Sequence, residues 1–359
     1  MEDKGNKFLD KKGKALLGVS LFVLLISGLG LYYFIFVPDL SWLKRNKETA
    51  TTTEMNNQAT STEGITVCEG CKQRWLDGVM VPAEQASAFP VAIAIDNDIL
   101  ARPQAGLAQA SLVYEAPVEG GMTRYLAIFP ADADIKEVGP VRSARPYLVA
   151  WAEEIGALFI HCGGSNEALD KIKTEGVNDL NEFYNSSYFW RAGGVRTAPH
   201  NLLISSDNWR SYLDKRGLKE SGAQAWQFKT EGEHATSSPD INIDFSLNFK
   251  SLWRYNAEAN NYQRFFNGSE SRDTQADIYA KNVIIHYLDS RVVDDAGRLR
   301  LDVVGEGQAK ICLDGVCREG TWKKSGNNRT RYYYDDGEEI KLNPGITWIE
   351  VADNNTRVD

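Results

Sequence analysis

The sequence predicts an α+β protein with an N-terminal single transmembrane helix, a mixed α/β first domain and a β-rich C-terminal domain. Three observations carry this expectation. An uncharged apolar run fills Ala15–Val37. Strand-like and helix-like stretches alternate from Asp77 to Gly217. From Ile241 onward, short alternating segments are separated by turn signals such as Asp314-Gly315, Asp336-Gly337 and Pro344-Gly345.

The apolar run is 23 residues long, and a helix needs only about 20 to cross the hydrocarbon core. A signal-peptide core is shorter, roughly 7–15 residues, and is followed by a small-x-small cleavage site. Here the run ends in Tyr32, Tyr33, Phe34, Ile35, Phe36 and Val37, a cluster suited to the membrane–water interface. The segment reads as an uncut anchor spanning 15–37. Lys4, Lys7, Lys11, Lys12 and Lys14 precede it, whereas Lys44, Arg45 and Lys47 follow. That bias places residues 1–14 in the cytoplasm and the C-terminal domains outside.

Charge divides the same way. Residues 1–47 carry a net +4 and the remainder −13, within a whole-chain −9. An acidic ectodomain excludes general nucleic-acid binding, which needs a basic footprint, but leaves room for an anionic ligand at a local arginine cluster. Residues 48–76 form a Thr-rich stalk that includes Cys68-Glu69-Gly70-Cys71. Without a second C-x-x-C or a nearby histidine, zinc lacks ligands there, and a small disulfide loop is preferred over a redox motif. Cys312 and Cys317 flank Leu313-Asp314-Gly315-Val316, a hairpin register that places them opposite each other as a cross-strand disulfide. Cys162 is left over.

In the first domain, 77–217, strands are expected at Val91–Ile95, Leu112–Ala116, Arg124–Phe129, Ala157–His161 and Asn201–Ser205. Helices are expected from a Ser143 N-cap to about Ile155, around Leu169 and Ile172, and over Asp207–Arg216 with Gly217 closing the last. Polar residues 218–240 read as a connection, and the β-rich domain occupies 241–355 with strands such as Val283–Tyr287, Ala309–Leu313 and Thr347–Val351.

Four constellations carry candidate chemistry. Arg142, Ser143 and Arg145 surround a helix start, where free N–H groups, the helix dipole and guanidinium forks favour a carboxylate or phosphate. The same arginines would equally pair with the protein's own Glu115 or Glu119. His161-Cys-Gly163-Gly164-Ser165 is a strand–glycine–helix junction, an anion nest or simply a tight turn capped by serine. Glu115 and Glu119 flank a turn and, with Asp96, could supply the paired carboxylates of glycosidic cleavage. His200 and His161 are two of four histidines, and no spacing joins them into a metal site. The sequence thus implies no metal and no cofactor.

Asp96-Asn97, Ala101–Leu107, Val113-Tyr114-Glu115, Val118–Ala127, Gly139–Tyr147, His161 with Gly163-Gly164-Ser165, and Ala198–Asn201 together resemble the YerB-like family of bacterial envelope proteins, a domain of unknown function. Lys281-Asn282-Val283, Gly305-Glu306-Gly307, Gly320-Thr321-Trp322 and Leu342–Trp348 resemble that family's C-terminal domain. The resemblance implies an envelope location and two domains, and supplies no activity. It differs in the anchor, a membrane helix standing where lipoprotein members carry a lipid-modified cysteine.

The function expected is therefore a membrane-anchored, extracytoplasmic binding protein. Its anionic ligand would be peptidoglycan-derived or another envelope component, held by Asp96, Asn97, Arg102, Arg124, Arg142, Ser143, Arg145, Gly163, Gly164, Ser165, His200 and Asn201. The alternative is a glycan-cleaving enzyme using Glu115 or Glu119 as acid and base, with Asp96 or His161 assisting.

Overall fold

A computed structural model describes residues 70–359, apart from 195, 220, 222 and 223. The expected transmembrane run, the cytoplasmic N-terminus, most of the Thr-rich stalk and Cys68 lie outside the described residues. Among those described, no helix is long and apolar enough to cross a membrane.

Along the chain, β1 (Pro90–Asp96), β2 (Leu112–Pro117) and β3 (Thr123–Pro130) precede helix α1 (Pro146–Glu154). β4 (Leu158–His161), α2 (Asn166–Glu175), β5 (Asp179–Asn181) and α3 (Ser206–Arg216) follow. The remainder is strand-rich: β6 (Ile241–Ser246), β7 (Phe249–Asn256), β8 (Asn261–Phe266), β9 (Ser269–Glu270), β10 (Tyr279–Ala280), β11 (Asn282–Tyr287), β12 (Gly305–Leu313), β13 (Val316–Lys324), β14 (Arg331–Tyr334), β15 (Thr347–Ala352) and β16 (Arg357–Val358). The architecture is mixed α+β with few helices.

One ten-stranded mixed sheet runs in the order β14-β13-β12-β11-β15-β2-β3-β1-β4-β5. The strands of the first segment and those of the C-terminal region share it: β15 pairs in parallel with β2, Glu350 standing in register with Glu115. Because both faces are covered, β1, β2 and β3 are buried at every position and read as continuous apolar runs rather than alternating ones. On one face Ala94, Leu126 and Ile349 pack against Leu148 and Trp151 of α1 and Ile172 of α2. On the other, Ile95, Tyr125 and Trp348 pack against a second sheet through Ile243, Trp253 and Phe266, and against Trp209 of α3. That sheet runs β9-β8-β7-β6-β16, with β10 also pairing β8. Within residues 218–240, Gln227–Phe228 pairs with Lys341–Leu342.

Two details of the sequence reading change. The cap of α1 is Arg145, not Ser143, since Pro146 occupies the first turn and holds its predecessor extended, at φ −131° and ψ 150°. The strand expected over Asn201–Ser205 narrows to Leu202–Leu203, because Ser205 serves as N-cap of α3 and accepts from the Asn208 N–H.

The hairpin expectation holds: Cys312 and Cys317 stand in register and are bonded. Asp314 and Gly315 both adopt positive φ, as a two-residue turn of this twist requires. Cys71 is disulfide-bonded, and its expected partner Cys68 is outside the described residues.

Candidate anion site at the start of the first helix

Strand alternation divides the candidate residues between the two faces of the central sheet. Asp96 stands in register with Arg124, and Glu115 with Tyr125. Side chains alternate along a strand, so Asp96 and Arg124 follow Ala94 and Leu126 onto the α1 face. Glu115 follows Tyr125 onto the face covered by the second sheet.

The α1 face gathers a charged cluster at the carboxyl ends of β1 and β4, beside the helix start. Asp96 Oδ2 accepts from His200 Nδ1 at 2.8 Å, which fixes the proton on Nδ1. Arg142 Nε lies 3.0 Å from the same oxygen, an ion-pair contact outside hydrogen-bond geometry. Arg145 forks onto both oxygens of Glu119 and donates to the Ala144 carbonyl at 2.8 Å. Burial pushes the Glu119 carboxyl up, but the hydrogen bonds and charge of Arg145 outweigh it, and the group sits below its ordinary value.

Arg124 lies among these groups at 4% exposure. One terminal nitrogen donates to the Ser143 carbonyl at 2.9 Å, its Nε has no partner, and no carboxylate of the described residues lies within 4.0 Å. Burial first, then the neighbouring Arg145 charge, lowers its pKa to about 10, so it remains a cation at neutral pH. The cluster thus holds three guanidinium groups against two carboxylates. Its helix end has no side-chain cap, leaving first-turn N–H groups without the usual acceptor.

The other candidates have separate partners. His161 is wholly buried, stacked on Phe159 and bonded to the Gly163 carbonyl and Asp179. The Gly163 N–H is taken by Asn181, and Ser165 caps α2 through the Ala168 N–H, so this junction is a turn with internal partners. Gly163 has φ +60°, and a Cβ there would meet the Phe183 ring at 2.9 Å. Asn201 ties Arg191 to the Ala192 carbonyl. Among the described residues no group of three His, Cys, Asp or Glu side chains could hold a metal ion.

On the opposite face, Glu115 is inaccessible. It accepts from Thr123 at 2.7 Å, from Asn97 at 3.3 Å and from Arg264 of β8 at 2.6 Å. Glu350 lies in the same network, taking a 2.7 Å bond from Trp253. Burial and then the Glu115 charge hold its carboxyl well above the ordinary range, against the pull of Arg264. Arg102 lies over the Phe266 ring at 3.4 Å and donates to the Asn97 carbonyl.

Family profiles described as "Protein of unknown function (DUF3048)" match residues 76–219 with the N-terminal domain and 241–349 with the C-terminal domain. The chain belongs to the DUF3048 family. A relative described as "Putative lipoprotein YerB", from Bacillus subtilis (strain 168), is 30% identical over 285 residues, covering 77% of this chain and 85% of that one. The crystal structure of YerB from Bacillus subtilis superposes with a TM-score of 0.73 at 28% identity, over 80% of this chain and 99% of that chain. This is a YerB-like DUF3048 protein.

The two DUF3048 segments meet through residues that sequence reasoning passed over. Arg264 and Ser251 reach Glu115 from strands more than a hundred positions away, at separations of 149 and 136 residues. Gln104 completes the network by donating to Asn97 at 3.0 Å. The one local signal was the charged Arg264 within an otherwise alternating strand, placed at an inward position of β8.

Proposed function

We propose that this chain is an extracytoplasmic, membrane-associated envelope protein that binds one anionic group of an envelope-related ligand at the start of α1. That group is a peptidoglycan-derived or peptide carboxylate, or the phosphate of a wall polymer. The observation carrying this reading is Arg124, a buried cation beside an uncapped helix start with no carboxylate of its own. An anion there would complete its hydrogen bonds and balance the third guanidinium, with Arg142 presenting a partly exposed fork at the rim. Envelope placement is supported by the lipoprotein name of the relative. Here the Ala15–Val37 run would provide a single-pass anchor with the N-terminus inside.

The glycan-cleaving alternative loses its support at Glu115, whose carboxylate is inaccessible and paired with Arg264. Glu119 is engaged by Arg145.

The test uses the full chain in detergent, titrated with a soluble muropeptide and with its carboxyl-amidated form. A charge-assisted hydrogen bond contributes about 1.5–3 kcal/mol, so Arg124→Gln should weaken capture roughly tenfold or more. Amidation should do the same. Equal affinity of Arg124→Gln and the parent protein, with unchanged melting, would sink the reading.

A further inference from the structure

A cavity of about 810 Å3 opens beside the other end of α1, bounded by β13 and β14. Lys324 of its lining is bonded to Glu154, the last residue of α1, whereas the Arg124 cluster lies at the helix's first residues, about 13.5 Å of helix away. Most cations on its wall already have a carboxylate. Lys324 Nζ is bound by Glu154 at 2.7 Å, Arg331 by Glu339 at 2.7 Å, and Lys323 by Glu306 at 3.4 Å.

Arg329 is the exception. It is 3% exposed, and its Nε and one terminal nitrogen have no partner. The other terminal nitrogen donates to the Gln224 carbonyl at 3.2 Å. No carboxylate of the described residues comes within ion-pair distance of it. The guanidinium lies over Trp226 at 3.9 Å and near Trp75 at 5.6 Å. Those rings offset part of the desolvation but satisfy no N–H donor. Burial lowers its pKa to about 10, which still leaves it charged at neutral pH.

We infer that this cavity is a second binding site, independent of the α1 N-terminal one, and that it takes a sugar phosphate. Three cations in the lining, Arg329 and the cross-strand neighbours Arg331 and Lys323, suit the three terminal oxygens of a phosphate better than the two of a carboxylate. The rest of the lining suits a hydroxylated ring. Gln227, Ser325 and Asn328 supply neutral hydrogen-bonding groups, and the half-buried Tyr333 supplies an aromatic face. Lys323 would exchange a surface carboxylate, a pair of little net value in water, for the ligand, whereas Arg331 is half-buried and also holds the Ala225 carbonyl and Gln224.

The test titrates the full chain in detergent with glucose 6-phosphate, using glucose and inorganic phosphate as controls and following calorimetry and tryptophan emission. The ester should bind at least tenfold more tightly than either control. Lys323→Glu, at an exposed position, should weaken it severalfold without altering melting, Arg331→Gln should weaken it as well, and Arg124→Gln should leave it unchanged. Arg329→Lys should abolish binding; should that variant melt early, the exposed Lys323→Glu variant decides. Equal binding of the ester and inorganic phosphate, full retention in Lys323→Glu, loss in Arg124→Gln, or no binding at millimolar ester would each overturn the assignment.

Discussion

Glu115 Oε2 and Arg264 Nη2 lie 2.6 Å apart with side chains 0% and 1% exposed, joining the central sheet to the second sheet. Desolvating both charges is costly, and the pair is tolerable because Thr123, Asn97 and Ser251 complete its hydrogen bonds. Removing either partner leaves the other charge buried and uncompensated. Glu115→Gln and Arg264→Met should each lose about 3–5 kcal/mol, and the double variant should lose clearly less than their sum. Urea midpoints at constant m value measure the cycle, and additive losses would mean the pair is not coupled.

His286 sets a pH dependence. It is wholly buried, stacked on Trp322, and its Nδ1 shares a 3.0 Å hydrogen bond with the Tyr332 hydroxyl. Burial and then the Lys324 charge lower its pKa from 6.5 to about 3. The unfolded chain therefore binds a proton that the folded one refuses, and stability contributed by the neutral ring is lost as pH falls from about 6.5 toward about 3. His286→Phe keeps the stacking and removes the titration. Its melting temperature should fall less steeply across that window than the parent's, and parallel curves would contradict this.

Gly320 is fixed by its neighbours. A Cβ there would stand 2.2 Å from the Tyr333 carbonyl oxygen and 2.7 Å from Ile311 Cδ1. Backbone on the adjacent strand cannot yield as a side-chain tip can. Gly320→Ala should cost about 1–3 kcal/mol, whereas Gly232→Ala, with nothing within 4 Å, should be near neutral. Chemical denaturation of the two variants compares them directly.

Cys162 should be slow to alkylate. Its thiol donates to Glu182 at 3.4 Å, and burial followed by that carboxylate raises its pKa to about 11. Because the thiolate is the nucleophile, iodoacetamide labelling of the native chain at neutral pH should be far slower than in urea. Glu182→Gln should accelerate it. Equal rates in the native and parent-denatured states would show an open, activated thiol.

The main elements of the fold were largely legible in the chain because they rest on local order. The runs Val91–Ile95 and Leu112–Ala116 read as strands from apolarity alone, and both are buried on two faces. Asp314-Gly315 specified its hairpin, and with it the Cys312–Cys317 register, because few dipeptides accept two positive φ angles. Less is legible between Ile241 and Phe266, where three strands with alternating buried and more exposed positions are broken by short polar turns.

The candidate site divided differently. Arg124, Arg142, Arg145, Asp96 and His200 are all legible as candidates at strand ends and turns, and tertiary structure brings them together. Glu115 reads from the sequence as their possible partner, yet its register with Tyr125 rather than Arg124 turns it to the other face of the sheet.

The sequence by itself determined most strands of the central sheet, the helices, the hairpin register and which residues carry charge at strand ends, since propensity, spacing and turn chemistry act over a few residues. Only the tertiary structure decided which charges find partners. Arg264 reaches Glu115 and Glu154 reaches Lys324 over separations of 149 and 170 residues, whereas Arg124 and Arg329 find no carboxylate of the described residues. Pairing across such distances follows from how the sheets and α1 pack, because the long-range burial of apolar surface fixes where each polar group must end.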